Sequence, residues 1–75
     1  MLDEKVLSIL NDIADSIKEA GLDPHKQLYG FATTGNERYI TRHRDARDQI
    51  KKVHRKDIAV FLHQELKPNK NVSKE

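Results

Sequence analysis

Between residues 41 and 52 the chain reads TRHRDARDQIKK, three arginines and two lysines interrupted by two aspartates. A guanidinium presents a planar fork of donors that grips carboxylates and phosphates through paired hydrogen bonds, so such a cluster is equipped to hold an acidic macromolecule. On a helical wheel Ala46, Ile50 and Val53 mark the inner side. Arg44, Lys51 and Arg55 then fall opposite, with Arg47 on the flank. At ~1.5 Å rise per residue this predicts a basic ridge about 16 Å long. Three readings fit it. A solvated helix face would pair Arg44 with Asp48 and Asp48 with Lys52, each four residues apart. A helix-turn-helix-like nucleic-acid-binding module would use the segment as its recognition helix and draw phosphate affinity from the charge. Asp45 and Asp48 would then face phosphates, and Gln49, the amide suited to a base edge, lies on the wrong side of the wheel. A protein-docking surface would use the arginine forks directly.

Catalysis has less to work with. His25, His43, His54 and His63 follow no recognised zinc-ligand pattern and read as isolated surface histidines. There is no cysteine nucleophile. Ser8 and Ser16 are expected on the exposed side of the first helix, and Gly21, Gly30 and Gly35 are too scattered to form a phosphate loop. The expectation is a non-enzyme with no cofactor and no metal.

The charge is divided along the chain. Residues 1–23 hold six acids against two bases, a net of −4, whereas residues 38–56 hold eight bases against two acids, a net of +6. An acidic partner should therefore meet one face, and that partner includes the acidic segment of the same chain or of a twin.

These residues must be positioned by helices. Leu2, Val6, Ile9, Leu10, Ile13, Ile17 and Ala20 recur at spacings of three and four, which places a first helix at about residues 3–20, with Asp3 and Glu4 at its positive end and Gly21 as a left-handed stop. Asp23 before Pro24 starts a second helix, with Leu28, Phe31 and Ala32 inward and Gly35 at its end. Asn36 caps a one-turn helix that brings Tyr39 and Ile40 to the core. Residues 43–53 are expected to be helical, followed by a break near 54–56. A last helix over about 57–67 carries Ile58, Phe61, Leu62 and Leu66 inward, with Val60 off the stripe as a candidate dimer contact.

The fold class expected is a small all-α domain of four or five helices over residues 1–67, with 68–75 a disordered tail too polar to repay its ordering entropy. A chain of 75 residues, 36% apolar and without cysteine, buries only roughly 60% of its unfolded surface. Disulfides and thiolate zinc sites are unavailable to reinforce so small a core, so a homodimer is expected. No secretory signal or membrane-spanning run is read in the sequence, and a cytoplasmic location is expected.

The stretch GLDPHKQLYGFATTGNERYITRHRDARDQIKK, residues 21–52, closely resembles the signature of the IreB-like regulatory phosphoproteins, also called the ReoM family, of Gram-positive bacteria. The resemblance runs over about residues 21–66 and rests on Gly21, Pro24, Gln27, Gly30, Gly35, Tyr39, Ile40, Arg42, His43, Asp45, Ala46, Arg47 and Ile50. Arg55, Asp57 and Ile58 continue it. It implies a small helical homodimer without catalytic activity. It further implies a cytoplasmic adaptor downstream of a PASTA-domain membrane Ser/Thr kinase, influencing cell-wall precursor synthesis, in some members through Clp-dependent proteolysis. The ridge and the resemblance together point to a protease adaptor or other acidic or phosphorylated protein as partner; no membrane partner is expected, and nucleic acid remains the alternative reading.

The family's functional basic positions fall on Arg42, Arg47 and Lys51, flanked here by Arg44. Lys51 stands where an arginine is usual and keeps the charge without the fork. Asn36 and Glu37 replace the usual Asp-Pro, and Thr41 replaces a proline. The family's kinase-site threonine lies in a tail ahead of helix 1, which here starts almost at Met1. The threonines present are Thr33, Thr34 and Thr41, so no phosphorylation site is expected.

Overall fold

Local capping chemistry sets the two long helices. In the computed structural model, which describes residues 2–64, α1 runs Glu4–Glu19 and begins where the Asp3 carboxylate accepts the Lys5 amide at 3.1 Å. It ends in a Schellman arrangement. Gly21 takes φ 81°, and the amides of Gly21 and Leu22 donate back to the carbonyls of Lys18 and Ile17. Those bonds satisfy carbonyls that the helix itself leaves open. α2, Pro24–Thr34, starts in the expected way: Asp23 accepts the His25 amide at 3.0 Å and Pro24 occupies the first turn. Such a cap contributes about 1 kcal/mol. Gly35, at φ 75°, ends the helix.

The chain then tightens. Asn36 caps a single 3-10 turn, Glu37–Tyr39, by accepting the Arg38 amide at 3.0 Å. A second 3-10 turn, His43–Asp45, leads into α3, which is only Ala46–Gln49, and a third, Ile50–Lys52, follows directly. Val53 is extended and α4 runs Arg55–Gln64. Among the described residues every regular element is helical.

The core is one cluster drawn from all four helices and the turns between them. Leu10, Ile13 and Ile17 of α1, Leu28 of α2, Ile40, Ala46, Ile50 and Ile58 are all fully buried. Each buried leucine or isoleucine contributes about 1.5–3 kcal/mol relative to exposure. α2 lies mainly against α4, and α1 packs across α2 and α3.

Several expectations are corrected. The continuous helix over 43–53 is absent, because Arg44 and Asp45 both adopt left-handed backbone, φ 52° and 61°. That pair reverses the chain so that Ile40 and Ala46, on either side of it, both reach the core. Tyr39 is 48% exposed rather than inward. Its ring lies over Gly30, where an added Cβ would come 2.5 Å from Tyr39 Cδ1. Ser16 is buried, not exposed, and satisfies its hydroxyl by donating to the Asp12 carbonyl at 3.0 Å. Ala20 is exposed. α4 starts two residues earlier than expected, and Val60 is half-buried. Leu66 and the tail expected over 68–75 lie outside the described residues.

Candidate partner-binding surface

The four basic residues singled out by type, Arg42, Arg44, Arg47 and Lys51, come from three different local structures rather than one helix face. Arg42 precedes the second 3-10 turn, Arg44 is inside it, Arg47 is in α3, and Lys51 is in the third turn. Three contacts to the rest of the fold hold this stretch in place. The Thr41 amide donates to Gln27 Oε1 on α2 at 2.9 Å, Arg44 Nη1 donates to Glu19 Oε2 at the end of α1 at 2.9 Å, and Arg47 Nε donates to the Ile40 carbonyl at 2.9 Å. The left-handed pair costs about 1–2 kcal/mol per residue, less for aspartate, and these contacts together with burial of Ile40 and Ala46 offset it.

The four cations differ in how free they are. Arg42 is exposed, and its guanidinium forms no hydrogen bond or ion pair among the described residues, although its carbonyl accepts the Asp45 amide at 3.1 Å. With Arg47, Asp45 and Asp48 it lines a notch of about 100 Å³. Arg47 is half-buried, and its Nε is committed to the backbone. Arg44 shares the Glu19 carboxylate with His43, whose Nε2 lies 3.2 Å from Oε1. Lys51 pairs with Glu37 at 3.1 Å and lies 3.9 Å from Asp48. The pairs expected of Arg44 with Asp48 and Asp48 with Lys52 are thus replaced by links to residues distant in sequence or at i,i+3.

Arg55 leaves the expected ridge altogether. Its Nε donates to the Ala32 carbonyl at 3.1 Å and its guanidinium lies against Gly35, so it closes the C-terminal end of α2, where a cation complements the helix dipole. Residue types alone point to neither this role nor that of Gln27. Glu19 was foreshadowed only by the acidic character of the first segment.

The helix-turn-helix reading loses its recognition helix, since α3 has four residues. Among the described residues no cluster of three potential metal-ligating side chains is found, and no helix is long and apolar enough to cross a membrane.

A family model described as the IreB regulatory phosphoprotein matches residues 2–66, and so takes in α1, the turns that carry the basic residues, and α4. The chain belongs to the IreB regulatory phosphoprotein family. The match reaches the first helix, which agrees with the resemblance in placement but carries none of its distinctive residues. For an IreB-family chain the question raised by the basic stretch becomes one of regulation by binding.

Proposed function

We propose that this chain is a cytoplasmic homodimeric adaptor that binds an acidic or phosphorylated protein through Arg42, Arg47 and Lys51, flanked by Arg44. It would act without catalysis, in the control of cell-wall precursor synthesis and Clp-dependent proteolysis downstream of a PASTA-domain kinase. The observation that carries the reading is the notch shared by Arg42 and Arg47. An exposed guanidinium with no partner among the described residues stands beside one whose Nε is anchored to the Ile40 carbonyl, so the surface sets a free group of donors next to a fixed one. Anchored donors lose less conformational entropy when a partner binds.

Arg42 is the residue to change. Charge reversal at Arg47 would also strip the Ile40 carbonyl of its donor, confounding docking with stability. Affinity purification should compare the wild-type chain with Arg42→Glu, and sedimentation should report whether both remain dimers. The variant is expected to keep helicity and dimerisation while partner capture falls by at least about tenfold. Undiminished capture by a folded Arg42→Glu dimer would remove Arg42 from the surface. A monomeric wild-type chain would remove the dimer.

A further inference from the structure

Much of the proposed docking surface is already occupied by the chain's own acids. Glu19 Oε1 and Oε2 straddle His43 Nε2 at 3.2 Å and Arg44 Nη1 at 2.9 Å, and Glu37 Oε1 holds Lys51 Nζ at 3.1 Å. These groups are half exposed, with side-chain accessibilities from 42% to 55%. Exposed pairs of this kind are weak, each corresponding to no more than about a fivefold change in an equilibrium. They are therefore exchangeable. We infer that Glu19 and Glu37 are intramolecular competitors, and that the ligand they stand in for is an acidic peptide segment whose carboxylates replace theirs.

The inference rests on the docking role proposed for the same surface. Exchange chemistry favours carboxylates over a phosphate. One carboxylate replacing another at Arg44 or Lys51 keeps a single carboxylate on each cation, and the released Glu19 or Glu37 is rehydrated at an exposed position. A phosphate dianion would bring twice the charge of a carboxylate beside Asp45 and Asp48, which line the notch with Arg42 and Arg47. Asp48 also lies 3.9 Å from Lys51 Nζ. The self-occupied form sets a threshold. Isolated carboxylates would gain little over the internal ones, whereas a segment presenting several at once would displace both and also engage Arg42.

The test uses the full chain and two fluorescent probes, an oligoglutamate peptide and an otherwise neutral phosphothreonine peptide, with anisotropy read at low and moderate salt. Glu37→Gln and Glu19→Gln keep side-chain size and a hydrogen-bond acceptor while removing the charge. Each is expected to tighten oligoglutamate binding by about two- to fivefold at low salt, with the gain shrinking as salt screens the pairs. Arg42→Glu should weaken binding in every background. Glu37→Gln is the cleaner variant because Glu37 lies away from the left-handed pair, and circular dichroism of Glu19→Gln reports any loosening there. Oligoglutamate binding that is weakened by Arg42→Glu but unmoved or weakened by both glutamine variants would overturn self-competition while leaving docking intact. Tighter binding of the phosphothreonine probe would overturn the carboxylate assignment alone. If neither probe binds the wild-type chain or the glutamine variants, the docking role falls and self-competition falls with it.

Discussion

Gly30 and Tyr39 show how one missing Cβ shapes the surface next to the basic stretch. Gly30 sits inside α2, where alanine would ordinarily be favoured by about 1 kcal/mol, but Tyr39 lies against the space its Cβ would fill. Gly30→Ala is expected to destabilise the fold by about 1–3 kcal/mol through overpacking. In a Tyr39→Ala background the same change should become neutral or stabilising. Urea denaturation of the four chains gives the coupling directly, and additive effects would show that Tyr39 does not press on Gly30. The two residues lie on the half-buried and exposed margin of the core, so the cycle tests packing with little disturbance of the fully buried cluster.

The basic stretch is governed by two consecutive left-handed residues, Arg44 and Asp45, that close the second 3-10 turn and lead into α3. Asp45 has an exposed side chain with no capping hydrogen bond, so its contribution is chiefly its tolerance of φ 61°. Asparagine and glycine accept that conformation, whereas β-branched residues strongly resist it. Asp45→Asn is therefore expected to lie within about 0.5 kcal/mol of wild type, and Asp45→Val to lose about 2 kcal/mol or more. Equal midpoints for the two variants in chemical denaturation would argue against the reversed chain path at 44–45. Because Arg42 and Arg47 stand on either side of the reversal, Asp45→Val should also blunt partner capture without altering a single cation.

At the level of the full chain, the acidic first segment and the basic middle segment partly neutralise one another, through Glu19 with Arg44. Net charge is only +2, and the long basic ridge that a duplex would require is broken into turns. Gel shifts with duplex DNA are accordingly expected to show no binding at low salt. Steep, salt-dependent retardation would instead establish phosphate affinity and reopen the nucleic-acid reading.

Helix starts and stops were legible because their causes are local. Asp3, Asp23 with Pro24, Gly21, Gly35 and Asn36 act on amides and carbonyls within a few residues of themselves, and each does so at the expected place. The inner stripe of α1 was largely legible for the same reason, since spacing along a regular helix converts directly into one side of it. The site residues were recognisable by type, but the face they share was not. Periodicity from Ala46 to Val53 is satisfied equally by a continuous helix and by a broken one, and the choice between them lies in contacts that span 7 to 25 positions: Arg47 to Ile40, Thr41 to Gln27, Arg44 to Glu19. Those contacts, with burial of Ile40 and Ala46 against the other helices, outweigh the local cost of left-handed backbone at Arg44 and Asp45, and a helical wheel contains no term for any of them.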